Sequence, residues 1–171
     1  MNIIAACDSK LSGDDVSESW WDGFERPLNE RGLSEVRRVG RWMASQIEEP
    51  QLIISSSARR ARETIERVCE VAGWSSDLLS LTRSMYLADP ATIHKIIDVY
   101  LRDRDRIMIV GHNPGLELVF RDYDTDMVPS AGETLMSVAS IAVISLSGPS
   151  DSASGKWDAK TEQLLQVDAL D

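Results

Sequence analysis

Three short stretches of this chain bring together side chains able to handle a phosphoryl group: Cys7-Asp8-Ser9, residues 55–60, and Gly111-His112-Asn113-Pro114-Gly115. An arginine such as Arg60 offers a planar fork that matches phosphate oxygens, and an imidazole such as His112 exchanges protons near neutral pH. Glycines on either side of His112 leave backbone amides accessible. Each residue also has a plainer reading. Arg60 lies in a helix-like run with Arg59, Arg62, Glu63, Glu66 and Arg67, whose spacing also suits a solvated face of i,i+4 ion pairs. His112 could cap a turn, and Asp8 could cap a loop through its own backbone. His94 sits inside an apolar helical pattern and reads as structural.

These stretches need elements to carry them. Residues 3–6 form an apolar run suited to a buried strand, which would deliver Cys7-Asp8-Ser9 at its carboxyl end. Residues 10–26, with Gly13, clustered Asp and Ser, and the pair Trp20-Trp21, show no helical or strand period and read as a long loop. From Asn29 onward Leu33, Val36, Val39, Gly40 and Met43 recur at helical spacing. Leu52-Ile53-Ile54 predicts a second buried strand ending in three serines. A helix follows from about Ala58, with Ala61, Ile65, Val68 and Val71 inward and Gly73 as its stop. Residues 78–81 suggest a short third strand, and Pro90 starts a helix whose apolar face is Ile93, Ile96, Ile97 and Tyr100. Ile107-Met108-Ile109-Val110 is the clearest strand, leading into the His112 loop and a helix from about Leu116. Residues 138–146 predict a further strand, and residues 147–155 a surface hairpin or mobile loop ahead of Trp157. Alternating strands and helices predict a largely parallel sheet covered on both faces, with ligands gathering where loops leave the carboxyl ends of strands.

The 171 residues, 43% hydrophobic, suit one domain over residues 1–171 without disulfide or metal staples. A net charge of -10 repels polyanions, so nucleic acid is not an expected partner, and any anion site must act locally. Cys7 and Cys69 form no CxxC pair and two histidines give no zinc framework, so reduced thiols and no metal or cofactor are expected. The early charges Asp8, Lys10, Asp14 and Asp15 leave no room for a signal-peptide core or a membrane span. The expected compartment is the cytoplasm.

The segment Phe24-Glu25-Arg26-Pro27-Leu28-Asn29-Glu30-Arg31-Gly32 resembles the Arg-Pro-Leu-(Asn/Thr)-x-x-Gly element of SixA-type phosphohistidine phosphatases. Residues 55–64 resemble their Ser-Ser-Pro-x-x-Arg-Ala-x-Gln-Thr element. Val110-Gly111-His112-Asn113-Pro114-Gly115-Leu116-Glu117 resembles their Val-Gly-His-Asn-Pro-x-Leu-Glu element, the most specific of the three. Met85-Tyr86-Leu87-Ala88 fits between them. The resemblance to this branch of the histidine phosphatase superfamily implies a three-layer α/β/α sandwich, phosphoglycerate-mutase-like, with a mostly parallel central sheet. It also implies a phosphate pocket from Arg26, Arg60 and His112, phosphoryl transfer to a histidine before hydrolysis, and no metal.

The departure is at the end of the first strand, where the family's Arg-His pair should stand and this chain has Cys7-Asp8. Sliding the register by one puts Asp8-Ser9 there, and neither choice restores a histidine. A carboxylate about 4 Å from a phosphate charge costs roughly 4 kcal/mol per charge pair at an effective dielectric near 20. Ordinary turnover is therefore expected to be absent or very slow. Asp8 as an acyl-phosphate nucleophile would call for a metal and a carboxylate cluster that the sequence does not display. Cys7 lacks a phosphate-cradling loop, Ser9 lacks a base, and His112 as nucleophile would reverse its family role. Three functions remain open: a pseudophosphatase that binds a phosphoprotein, an active phosphatase with Asp8 or His112 as replaced nucleophile, and a ligand-free interaction protein using Trp20-Trp21. The expected partner is a phosphorylated protein, including a phosphorelay protein, or a small phosphoester, with the chain a monomer or weak dimer.

Overall fold

The computed structural model describes residues 2–7, 20–124, 136, 139–149, 157–166 and 170, with backbone alone at 2–7, 20–22, 147–149 and 157–158. Six strands form one sheet in the order β3-β2-β4-β1-β5-β6. They are β1 (Asn2–Cys7), β2 (Leu52–Ser56), β3 (Leu79–Thr82), β4 (Arg106–Gly111), β5 (Ile141–Pro149) and β6 (Trp157–Leu165). The first four run parallel to one another, and β5 and β6 are antiparallel additions beyond β1. The helices are α1 (Trp20–Glu25), α2 (Glu30–Gln46), α3 (Arg59–Ala72), α4 (Pro90–Tyr100) and α5 (Gly115–Tyr123).

Strand alternation explains the three layers. Ile53, Met108 and Val110 point to one face, where Val36, Val39 and Met43 of α2 and Ile65 and Val68 of α3 cover them. Ile54, Ile107 and Ile109 point to the other, against Ile93 and Ile97 of α4 and Leu116, Val119 and Phe120 of α5. A strand apolar at consecutive positions is the signature of a sheet buried on both sides. The result is the expected α/β/α sandwich with a mostly parallel sheet.

Helix ends follow local chemistry. The Asn29 side chain accepts from the Gly32 amide at 2.7 Å to cap α2, and Asp89 accepts from Thr92 N at 3.0 Å to cap α4, with Pro90 opening that helix. Gly73, at φ 73°, closes α3 in the left-handed conformation.

Two expectations need correction. Residues 20–25, read as part of a loop, form α1; six residues are too few turns to show an amphipathic period. The loop expected from residue 147 starts later, because β5 runs through Pro149, and the chain then adds β6, for which no strand was expected, an edge strand with exposed Lys160, Glu162 and Gln163. Its Ala159 and Leu164 pack on the core of one face and Leu165 on that of the other, and register shifts between Val143 and Ile144 and between Leu146 and Pro149 disturb the pairing with β5. Charged, half-exposed edge strands carry a weak hydrophobic signal. β5 begins at Ile141; residue 138, its expected start, and residues 150–156 of the expected hairpin lie outside the described residues.

Candidate active site

The carboxyl ends of β2 and β4 are neighbours in the sheet, with Ser55 opposite Val110. Ser56 ends β2 and His112 follows β4, and their side chains meet: His112 Nε2 is 2.8 Å from Ser56 Oγ. On the other side of the ring Arg60, in the first turn of α3, places Nη2 2.9 Å from His112 Nδ1. A guanidinium has donors only, so Nδ1 accepts. The imidazole is then neutral with its proton on Nε2, donated to Ser56. Ser56 Oγ also accepts from the Ala58 amide at 3.2 Å, which keeps the serine's own hydroxyl proton as a donor.

Arg60 Nη1 donates to the Gly23 carbonyl at 2.5 Å. Gly23 lies in α1, among the carbonyls near a helix C-terminus that lack intrahelical partners. The arginine therefore binds the short helix to the histidine, and the buried pair (Arg60 7% and His112 4% exposed) excludes the solvated-face reading of Arg60. That reading holds for its neighbours: Arg59–Glu63 at 2.7 Å, Arg62–Glu66 at 4.0 Å and Arg67–Glu70 at 2.5 Å are surface ion pairs on the same helix.

Other motif residues build the frame. Glu63 Oε2 accepts from the Leu28 amide at 2.9 Å, tying the Arg26-Pro27-Leu28 segment to α3. Arg26 is half-buried directly after α1. Asn113 Nδ2 donates to the Met136 carbonyl, and Glu117 Oε2 accepts from the Met136 amide at 3.3 Å, so the residues after His112 hold the approach to β5. Gly115 is required by close approach: a methyl there would come within 2.1 Å of the Ala88 carbonyl oxygen.

Residues 21–83 match the family model of the histidine phosphatase superfamily (branch 1). Over that stretch, less than half of the chain, the sequence is similar to this family. The matched region contains Arg26 and Arg60 and ends before His112. An uncharacterized protein of Mycobacterium leprae is 30% identical over 95 residues, which are 56% of each chain. An uncharacterized chloroplastic protein of Arabidopsis thaliana is 32% identical over 114 residues, 59% of this chain and 52% of its own length. The matched stretch thus spans about half the length of these curated relatives. Among solved structures, protein histidine phosphatase SixA complexed with tungstate superposes at a TM-score of 0.74, with 18% identity over 98% of this chain and 97% of that one. A mycobacterial glucosyl-3-phosphoglycerate phosphatase gives 0.66, with 13% identity over 94% and 96% of the two chains. At these identities the structural likeness speaks for the fold.

The expected site residues divide as follows. Arg60 and His112 are brought together, and Ser56, not singled out beforehand, completes their network; its place at the end of a predicted strand was the available signal. Asp8 and Ser9 lie outside the described residues. Cys7 ends β1 in register with Gly111, the residue before His112. His94 is at the surface between α4 and α5, 2.9 Å from Asp122 and packed on the Tyr123 ring. Among the described residues no group of three or more His, Cys, Asp and Glu side chains is arranged to hold a metal ion, and no helix is long and apolar enough to cross a membrane.

Proposed function

We propose that this chain is a SixA-like pseudophosphatase: its ancestral reaction, phosphohistidine dephosphorylation, is lost or strongly impaired, and a pocket of Arg26, Arg60 and His112 retains affinity for phosphate on a protein partner. The observation that carries this reading is the register of β1, whose last residue, Cys7, pairs beside Gly111. The sequence continues from there into Asp8 and Ser9, with no histidine in either register. Half of the chemistry is in place, with a buried cation and a neutral imidazole presenting a fixed N–H. The other half, a neutral nucleophile, is replaced by a carboxylate that repels the group to be attacked.

His112 does not fill the gap. Its Nδ1 lone pair is taken by Arg60 and its Nε2 carries the proton given to Ser56. A ring so held suits donation to an anion rather than attack on phosphorus.

The test is phosphate release from a phosphohistidine protein and from para-nitrophenyl phosphate, with and without magnesium, for wild type, Asp8→Ala, His112→Ala and the double variant Cys7→Arg/Asp8→His. We expect no release above background from wild type and measurable release from the double variant. Release by wild type that disappears in Asp8→Ala would instead establish an enzyme with a replaced nucleophile.

A further inference from the structure

We infer that Tyr86 is a positioning residue whose ring fixes the Arg60 guanidinium and the His112 imidazole in the orientation that receives an anion; this rests on the pocket reading above. The Tyr86 ring meets the His112 ring edge-to-face, with centroids 5.3 Å apart and planes at 86°. The Arg60 Cζ stands 5.8 Å from the same Tyr86 centroid, within the range of a cation–aromatic attraction. Phe24 of α1 closes on Tyr86 from another side, at 4.9 Å and 84°. One ring therefore touches both members of the Arg60–His112 pair and the helix whose Gly23 carbonyl Arg60 binds. Perpendicular aromatic contacts favour particular orientations, so they constrain the imidazole plane as well as filling space.

The backbone around Tyr86 is held for this purpose at some cost. Met85, fully buried, seats its methyl 3.1 Å from where a Gly111 side chain would begin, and the Ala88 carbonyl closes on Gly115. These two glycines flank the His112 loop, so residues 85–88 dock across it. Leu87, between the two docking points, adopts φ 48° and leaves its side chain 59% exposed. Left-handed backbone at a bulky, exposed residue is unfavourable locally and persists where surrounding contacts demand it. Those contacts are the ones that set Tyr86.

The experiment compares Tyr86→Phe, Tyr86→Leu and Tyr86→Met with wild type and Arg60→Ala, using inorganic tungstate binding by calorimetry. It also uses long-range 1H–15N NMR of His112, in a His94→Gln background that leaves one histidine to observe. Tyr86→Phe should keep tungstate affinity within about twofold and preserve a single Nε2–H tautomer. Tyr86→Leu and Tyr86→Met should lose about five- to tenfold in affinity and show a mixture of tautomers in a folded protein. Retention of both wild-type affinity and a single tautomer in either aliphatic variant would overturn the inference, and the methionine variant decides if the leucine variant does not fold. If wild type itself binds no tungstate, the pocket reading fails, while the tautomer comparison between the phenylalanine and aliphatic variants still decides the role of Tyr86.

Discussion

The two faces of α3 carry the same residue types to opposite ends. Facing outward, Arg59, Arg62 and Arg67 pair with Glu63, Glu66 and Glu70 along the helix surface. Facing inward, Arg60 is buried with its guanidinium divided between Gly23 and His112, on the helix that also buries Ile65, Val68 and Cys69. A rotation of about 100° per residue separates Arg59 from Arg60. Desolvation then makes the difference: an exposed pair contributes little because water competes for each charge, while a buried, hydrogen-bonded cation cannot be removed without stranding its partners.

The comparison can be broken most forcefully at Ile65, fully buried on the inward face. Ile65→Ala should cost about 2–5 kcal/mol in urea unfolding, and a value under about 1 would mean that α3 does not anchor this core as described. Next is Arg60→Ala, expected to cost about 1.5–3 kcal/mol because Gly23 O and His112 Nδ1 each lose a charged donor, and to remove tungstate binding as well. The outward variants Arg59→Ala, Arg62→Ala and Arg67→Ala should each lie within about 1 kcal/mol of wild type and leave binding unchanged. Equal effects for Arg59 and Arg60 would erase the distinction between the faces.

The smallest effect is chemical. Cys69, on the inward face, has its thiol pushed up to about 11, first by burial and then by the nearby carboxylates of Glu49 and Glu66. Raised this far, it stays protonated at pH 8, so alkylation by iodoacetamide should be slow in the native protein and rapid once urea unfolds it. Fast native labelling of Cys69, located by peptide mapping, would place it outside the core.

Much of the fold was legible because its elements are strongly patterned. The strands β2 and β4, the amphipathic α2 and α3, and α4 after Pro90 each bury enough apolar surface to leave a pattern in the sequence. α1 and β6 were not legible: α1 spans only six residues, and β6 is an edge strand whose charged side chains stay in solvent. At the site, His112 and Arg60 stood out by type and motif. Ser56 did not, since one of three consecutive serines becomes special only when His112 Nε2 arrives 2.8 Å away. Tyr86 was visible only as part of the Met85-Tyr86-Leu87-Ala88 stretch, for the same reason.

The sequence by itself determined most of the elements that form, the faces of its strongly patterned helices and strands, and that Cys7-Asp8 stands where the resemblance calls for arginine and histidine. Those facts are local, set by side-chain type and by periods of two and 3.6 residues. Only the tertiary structure decided what the Arg60 guanidinium binds, which tautomer His112 holds, and that α1, α3 and the Tyr86 segment converge on one ring. Such contacts join residues 37 and 52 positions apart, and their strength comes from burial that no local pattern records.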